Sequence, residues 1–599
     1  MSKIGSSTKI QRLLKESSLL CHSGKFNEAK EIYQALLELI PNHPEVLGNL
    51  GTIELQGGNT DLGISYLTRA LKSNPTEIKF IINLANAYIS INKFTEALEY
   101  LDSAEKISPN LLNILYNKAR ALRGLNEFDS AITYLKKCLT LDPDNYLILC
   151  DLALLFTQKE SFQEAIDLYS KAISINPKNF LTFYNRGIAL ESIGHFDEAL
   201  NDYNQVIKEN LLFEPAHFNK CGIFTKQNKI DEALNLINHL LKLDQGNITY
   251  YIEKAFIYEQ INNFDSAITS YNQALLINPK SEEVMTKKGF CLLRNDQFQE
   301  GWSLSETRWG SPEKLQTSKP ELLNFNVVNK KILIWAEQGV GDQIIFSGVF
   351  QEIFSTKNIF YVSLDPRLIN LYIRSFSWAK NVNFISQYDN LDEDLYDYQL
   401  PITSVGKFFR NSIQDFKFHP KAYLKSDKAQ TEALRNKFKK YPQKICGLSW
   451  FSKNNLFGKD KSLSLDQLLP ILRNQNTIFV NLQYGNVSGE IKTFANQFKV
   501  EIMSILNIDN FNDLDGLASL IDMCDYIVTT SNVTAHIAGA LNKTTYLMLP
   551  FSRGKLWYWG NSSDRSLWYP SIEIFRASSL GEWDTAINNL SKKLKVYYE

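Results

Sequence analysis

The chain has few cysteines, no surplus of charge of either sign and no long apolar run. Its seven cysteines are scattered without a CxxC pair, which excludes a short disulfide framework and favours a reducing compartment. With 64 basic against 65 acidic residues, the charge balance gives no support to a nucleic-acid partner. Because we find neither an 18-residue apolar stretch nor a signal peptide, we expect no transmembrane segment and a cytoplasmic protein.

Several motifs of enzymes and metal sites are missing as well. The sequence contains no HExxH, GxSxG, GxxxxGK[ST] or GxGxxG, and no cluster of Cys and His suited to zinc. Any catalytic chemistry must therefore come from other residue patterns. At 599 residues, with 44% apolar and 22% charged residues, the chain should form several folded domains.

The strongest signal that is present is an internal repeat of 34 residues. An apolar, usually aromatic residue recurs at this spacing, a small residue follows three positions later, and a proline closes most repeats. Each repeat should form two antiparallel helices, because the small residue allows close approach and the proline ends the second helix. This order of residues resembles the tetratricopeptide repeat and predicts an α-solenoid of about nine helix pairs over residues 1–310. The small residues are Ala29, Gly63, Ala97, Ala131, Ala165, Ala199, Ala233, Ala267 and Gly301.

A polar position recurs on the first helix of successive repeats. Stacked repeats would place it in a row along the concave groove, where amides can both donate to and accept from a peptide backbone. The superhelical arm of eukaryotic protein O-GlcNAc transferase, which this half resembles, uses such a row. The alternative is that these side chains only bond to the neighbouring helix. The residues are Asn49, Asn83, Asn117, Asp151, Asn185 and Asn219.

After a linker at 311–328, the sequence changes to strand-like runs that alternate with helical ones. This alternation predicts parallel sheets with crossover helices, in one α/β lobe at 329–424 and a second at 444–599. A charged helical segment at 425–443 separates the lobes. The predicted strands are Ile332–Trp335, Ile359–Leu364, Gln399–Thr403, Ile445–Trp450, Thr477–Leu482, Val500–Ile505, Tyr526–Thr529 and Thr545–Leu549.

Three loops in this half carry residues suited to chemistry. The turn from Gly339 to Asp342 follows the first strand and opens a helix, and acidic groups at the carboxyl end of a strand lie where open α/β sheets bind ligands. A second loop, after Trp450, is rich in lysine. A third motif, from Ser531 to Thr534, begins a helix whose free N–H groups form an anion site.

Together with the aromatic tail Ser566–Arg576, these motifs resemble the heptosyltransferase-like glycosyltransferases. The closest similarity is to bacterial proteins that fuse tetratricopeptide repeats to such a domain. The resemblance implies a two-lobed GT-B fold and an inverting, metal-independent transfer of sugar from a nucleotide-sugar co-substrate, with no bound cofactor. Because the repeat arm would recruit a protein, the resemblance implies that the acceptor is a Ser or Thr hydroxyl of that protein. Flagellin is one candidate.

The resemblance also assigns roles to residues. It makes Asp342 the catalytic base, with Glu337 as a rival, although a carboxylate at a helix start can also be a simple cap. Donor phosphates would be bound by the lysine loop and the third motif. The alternatives are that the lysines are only a solvated surface and that His536 is a structural residue. The loop glycines are Gly339 and Gly341, and the donor-binding residues are Lys453, Lys459, Lys461, Ser531, Asn532, Thr534 and His536.

One departure from the family keeps other functions open. Heptosyltransferases carry an Asp-Thr-Gly run before the helix histidine, where this chain has Ser531, Asn532 and Val533. The loss of the acid and the glycine supports an alternative in which the repeats form a binding scaffold and catalysis is lost. A third hypothesis keeps the enzyme but directs it to a lipid-linked or polysaccharide acceptor.

Overall fold

The computed structural model describes residues 2–310, 315–389, 391–454, 458–552, 554–561, 563–579 and 581–598. By its contacts the chain divides into two compact units, Met1–Ile223 and Phe224–Glu599. The division falls inside the repeats because the later repeats pack against the α/β part of the second unit. The predicted linker at 311–328 lies partly outside the described residues, since 311–314 are not included.

The first unit consists of paired helices that follow the predicted repeat. The small residue of each second helix is buried; Ala97 and Ala131 have no exposed surface. A side chain at Gly63 would meet Leu55 at 2.6 Å, so close helix contact requires a small residue there. The helices are α1 Ser2–His22, α2 Phe26–Leu39, α3 Pro44–Gln56, α4 Thr60–Ser73, α5 Ile78–Ser90, α6 Phe94–Ile107, α7 Leu112–Gly124, α8 Phe128–Leu141, α9 Tyr146–Gln158, α10 Phe162–Ile175, α11 Phe180–Ser192, α12 Phe196–Glu209 and α13 Glu214–Lys226, which crosses into the second unit.

The turn inside each repeat has one residue in the left-handed conformation. Asn92 and Asn126 have φ of 59° and 62°, and Gly58 and Gly194 occupy the same place in their repeats with φ of 83° and 82°. Asparagine and glycine tolerate this conformation better than other residues do. The repeat therefore contains a second periodic signal, at the end of its first helix.

The second unit begins with further repeat helices and continues into two parallel sheets. In the first sheet the strand order is β3-β2-β1-β4, and every pairing is parallel. Its central strand β1 is buried from Ile332 to Trp335, as its apolar run predicts. The elements are α14 Ile230–Leu243, α15 Ile248–Gln260, α16 Phe264–Ile277, α17 Glu282–Arg294, α18 Phe298–Ser305, β1 Lys331–Trp335, α19 Val340–Phe346, α20 Phe350–Phe354, β2 Ile359–Leu364, α21 Ile369–Ser375, β3 Val382–Ser386, β4 Tyr398–Pro401 and α22 Gly406–Phe409.

The second sheet has six parallel strands in the order β10-β9-β8-β5-β6-β7. The strands predicted at 445–450, 477–482, 526–529 and 545–549 are confirmed, whereas the one predicted at 500–505 covers only Ile502–Met503. The chain thus contains an α/β region after its repeats. The elements are α23 Lys428–Lys437, β5 Lys444–Ser449, α24 Leu469–Leu472, β6 Thr477–Asn481, α25 Ser488–Phe498, β7 Ile502–Met503, α26 Leu514–Met523, β8 Tyr526–Thr530, α27 Val533–Ala540, β9 Thr545–Leu549, β10 Ile572–Arg576 and α28 Asp584–Tyr598.

The two lobes are joined by backbone and side-chain bonds. The N–H groups of Tyr423 and Leu424 both donate to the carbonyl of Ala540, at 3.0 and 3.1 Å. Arg374 of the first lobe pairs with Asp515 of the second. Among the described residues no helix is long and apolar enough to cross a membrane.

Candidate active site

Each sheet has a point where the strand order reverses, and the loops there converge on one cavity. In the first sheet this point lies between β1 and β4, and in the second it lies between β5 and β8. Open parallel sheets bind ligands at such points, at the carboxyl ends of the strands. The loops after β1, β5 and β8 all line a cavity of about 330 Å³, which we call the first cavity. The three predicted motifs, distant in sequence, are therefore brought together.

Asp342 lies in the first turn of α19 and lines the first cavity. Its Oδ2 accepts a hydrogen bond of 3.2 Å from the backbone N–H of Gly339, so the residue does cap its helix. Burial raises the pKa of the Asp342 carboxyl from 3.8 to about 6, against the lowering effects of backbone N–H groups and of Lys461. A carboxyl with this pKa is mostly ionised at neutral pH and is still basic enough to accept a proton.

Glu337, the rival base, is held in a buried ion pair. Its carboxylate lies 2.9 Å from Arg308, which also bonds to Glu306 at 2.7 Å. Burial raises the pKa of Glu337, and the charge of Arg308 opposes that rise. Glu337 is not among the described residues that line the first cavity, whereas Asp342 is.

The three lysines of the second loop have different environments. Lys461 is only 6% exposed and lines the first cavity, whereas Lys453 lines it as an exposed residue and Lys459 is exposed elsewhere. Burial lowers the pKa of the Lys461 ammonium, and the charge of Asp342 opposes this. Lys461 and Asp342, which come from two lobes, therefore influence each other electrostatically. Residues 455–457 of this loop lie outside the described residues.

The start of α27 is built by side chains that bond to their own lobe. Asn532 is the N-cap: its Oδ1 accepts from the N–H of Thr534 at 3.0 Å, and its Nδ2 donates to Ser449 Oγ at 2.8 Å. Ser531 Oγ accepts a bond of 2.8 Å from Trp559 Nε1. Ser531 and Asn532 line the first cavity, whereas Thr534 is buried and is not among the described lining residues. These side chains orient the helix start toward the cavity.

His536 is enclosed by aromatic residues. Its Nδ1 lies 3.1 Å from the hydroxyl of Tyr569, and its Nε2 lies 3.4 Å from that of Tyr558. Burial lowers the pKa of His536 to about 3, and the nearby Lys461 lowers it further, so the ring is neutral. The uncharged ring lines the first cavity and contacts the hydroxyl groups of Tyr569 and Tyr558.

Gly341 is required where the two lobes meet at this histidine. A Cβ at Gly341 would lie 2.9 Å from His536 Cδ2 and 3.0 Å from Nε2. We expect Gly341→Ala to lower the free energy of unfolding by about 1–3 kcal/mol, because the packed aromatic ring has no room to move. The measurement is the midpoint of urea unfolding of the full chain, monitored by tryptophan fluorescence.

The matched control for this variant is Gly489→Ala, in α25. No atom lies within 4 Å of a Cβ at Gly489, so the midpoint should stay constant or rise. Equal shifts for the two variants would contradict the packing argument.

A second cavity, of about 460 Å³, adjoins the first. It extends from Asp342 and Lys461 toward the last repeat, where α17 and the turn after α18 contribute Phe290 and Arg308. Trp557 of the second lobe lines another side. The candidate active-site region thus consists of two cavities that share Asp342 and Lys461 in their linings.

Sequence reasoning missed several residues of the first cavity. Arg367 follows β2 and pairs with Asp365 at 2.8 Å, while its guanidinium carbon lies 4.9 Å from the ring centroid of Phe511. Tyr484 stacks at a tilt on Phe511, with ring centroids 5.9 Å apart. Arg367 follows the carboxyl end of β2 and Tyr484 follows that of β6. This position after a strand was the sequence signal that could have indicated them as ligand-binding residues. Within the described residues, no group of three or more His, Cys, Asp or Glu could hold a metal ion.

Most of the predicted peptide-binding row is engaged within the repeats. Asn49 donates to the hydroxyl of Tyr33 and Asn83 donates to Thr52, both at 2.9 Å. Asn117 accepts from Arg120, Asp151 accepts from Tyr116, and Asn219 donates to Tyr203. For Asn185 the described residues supply no side-chain hydrogen bond. Apart from the Asn117–Arg120 bond, which lies within α7, these bonds match the alternative in which the row joins neighbouring helices. Peptide binding stays a prediction.

Comparison with known families identifies the repeats. Sequence profiles of the tetratricopeptide repeat match residues 15–78, 78–111, 112–145, 153–194 and 248–281. These matches fall within the predicted repeat region at 1–310 and lie in both units. The paired helices of this chain are therefore tetratricopeptide repeats.

One curated relative matches about half of this chain. Protein FlbA of Caulobacter vibrioides is 25% identical over 330 residues, which are 51% of this chain and 54% of that protein. The chain thus spans about half the length of the relative it matches.

Several solved structures are similar to parts of this chain. They include a tetratricopeptide repeat protein from Parabacteroides merdae (18% identical, 42% of this chain and 98% of that one, TM-score 0.34) and MamA (23%, 27% and 94%, TM-score 0.26). A thermophilic repeat protein of Thermus thermophilus is 23% identical over 30% of this chain and 99% of its own, with a TM-score of 0.26. TM-scores this low carry no further inference.

Proposed function

We propose that the α/β region is a glycosyltransferase of the GT-B type that transfers a sugar from a nucleotide sugar to a Ser or Thr of a protein bound by the repeats. The observation that carries this proposal is the convergence of Asp342 and Lys461, from two lobes, on one cavity at both switch points. A base and a cation in one cleft are what the transfer requires.

In this mechanism Asp342 takes the proton of the acceptor hydroxyl. The hydroxyl oxygen then bonds to the anomeric carbon, while the bond from that carbon to the phosphate oxygen breaks and the diphosphate leaves with the electron pair. Lys461 and the N–H groups at the start of α27 stabilise the developing negative charge. When the phosphates pair with Lys461, part of the charge that lowers the pKa of Asp342 is offset, so the base becomes stronger.

The first cavity also has groups suited to a nucleoside. Tyr484 and Phe511 line it, and the ring of Phe511 is held by Arg367. Aromatic faces of this kind stack on nucleobases. We assign this end of the cavity to the nucleotide and the Asp342 end to the sugar.

The proposal is tested by a transfer assay with the full chain. Candidate nucleotide sugars are incubated with the chain and an acceptor protein, flagellin first, and intact mass spectrometry of the acceptor is combined with a measurement of released nucleotide. A gain of one glycosyl mass together with equal nucleotide release supports the enzyme. If every donor stays intact while the acceptor binds tightly to the repeats, the scaffold function is correct instead.

The pH dependence of transfer should follow Asp342. Because burial holds the pKa of this carboxyl at about 6, the base is ionised above that pH and protonated below it. The value of kcat/KM should therefore be constant above about pH 7 and fall about tenfold per pH unit below pH 6. A profile that stays flat down to pH 4.5 would exclude Asp342 as the base, and nucleotide binding over the same range is the control.

A further inference from the structure

We propose that the second cavity is the acceptor pocket, that the last repeat forms one of its walls, and that this wall selects a Ser or Thr next to an apolar residue. The inference rests on the proposed function and adds to it where the acceptor enters and which side chains discriminate among acceptors. It concerns the cavity of about 460 Å³ lined by α17, α18 and both lobes.

The two cavities share a boundary. Asp342, Lys461 and Tyr558 line both of them. A reaction between two bound substrates takes place where both can reach, and that boundary carries the base and the cation. Since the first cavity contains the helix start and the aromatic nucleoside end, the second remains for the acceptor hydroxyl.

The wall from the last repeat is fixed to the α/β lobes. Trp302 of α18 donates through Nε1 to the carbonyl of Arg410 at 2.7 Å. Arg308 bonds to Glu337 at 2.9 Å and to Thr403 at 2.8 Å. Leu293, Phe298 and Trp302 of the last repeat also belong to the same hydrophobic core as the first lobe, so this wall is packed against that lobe.

A loop of the second lobe is attached to the preceding repeat. Asn262, in the turn after α15, donates to the carbonyl of Phe551 at 3.3 Å and accepts from Lys555 Nζ at 3.0 Å. Ser552 donates to Gln260 at 3.3 Å. This loop continues into Leu556–Tyr558, which line the second cavity, so a repeat holds that wall in place as well.

The lining of the second cavity indicates the chemistry of its ligand. Phe290, Trp302, Phe346 and Trp557 give it aromatic walls, and hydroxyl groups are supplied by side chains such as Ser305. A cavity of this size holds more than one side chain. Two arginines also line the cavity, but both are paired: Arg294 with Glu259, and Arg308 with Glu306 and Glu337. The aromatic walls therefore favour an apolar neighbour beside the reacting Ser or Thr, because a charged neighbour would lose its hydration there.

The test compares Phe290→Ala with Leu276→Ala in the full chain. Leu276 is an exposed residue of α16 that is not among the described lining residues, so it serves as the matched control. For Phe290→Ala we expect the KM for the acceptor protein to rise about tenfold, while the KM for the donor and nucleotide binding stay unchanged. The more conservative Phe290→Leu should give a smaller rise, which keeps the test usable if the alanine variant does not fold.

A change in the acceptor gives a second readout. Replacing the apolar residue beside the acceptor hydroxyl by Asp should lower kcat/KM strongly for the wild-type chain and less for Phe290→Ala. An unchanged acceptor KM in both Phe290 variants, with wild-type transfer intact, overturns the inference. If the wild-type chain transfers no sugar at all, the proposed function fails first, so the two failures are distinguishable.

Discussion

Asp342→Asn should reduce kcat for sugar transfer by about 10²–10⁴, because asparagine fills the same space but cannot accept the proton of the attacking hydroxyl. Nucleotide binding should persist, since the variant removes a negative charge from the first cavity, where we propose that the donor phosphates bind. The measurement is single-turnover transfer, together with calorimetric titration of the nucleotide. Single-turnover transfer reports catalysis, and the titration reports nucleotide binding, so the two effects are measured separately.

Glu337→Gln is the control that decides between the two carboxylates. Glu337 is paired with Arg308 and is not among the described residues that line the first cavity, so the variant should retain the chemical step while losing stability. If instead Glu337→Gln abolishes turnover in folded protein and Asp342→Asn does not, the base is Glu337.

Lys461→Met should lower kcat/KM for the donor by about 10³, because a charge-assisted bond to phosphate and the stabilisation of the leaving group are both lost. Methionine keeps the length of the buried stem, so packing is largely preserved. Steady-state kinetics with varied donor concentration measure the effect. The acceptor KM should change little.

Lys459→Met is the matched control, because Lys459 is exposed and belongs to the same short turn. Its kinetics should equal those of the wild type. Lys461→Met should also shift the acid limb of the pH profile upward, since Lys461 lowers the pKa of Asp342. An unshifted acid limb, or equal losses in both lysine variants, would contradict the assigned contact.

The repeats and most strands could be predicted from the sequence because their signals are local. A 34-residue period fixed the helix pairs, and apolar runs fixed β1, β5 and β8. The strands β3 and β10 were missed. They lie at the edges of their sheets, and β3 is only partly buried, so its apolar signal is weak.

The site could be predicted only in part, because its assembly depends on packing between lobes. The three motifs were recognisable, but neither the distance of Glu337 from the cavity nor the choice of Lys461 among three lysines follows from their spacing. Arg367 and Phe511 are 144 residues apart and meet only through the packing of the two sheets. The bond between Asn83 and Thr52, by contrast, spans 31 residues, which is close to one repeat period.

The most direct test of the central claim is calorimetric titration of the full chain with a panel of nucleoside diphosphates and nucleotide sugars, repeated with Lys461→Met and Asp342→Asn. We predict saturable binding of one nucleotide class to the wild type, weakened by about 10–100-fold in Lys461→Met and retained in Asp342→Asn. Absence of binding by every nucleotide, or binding that Lys461→Met leaves unchanged, would contradict a donor site in the first cavity and turn attention to a scaffold function of the repeats.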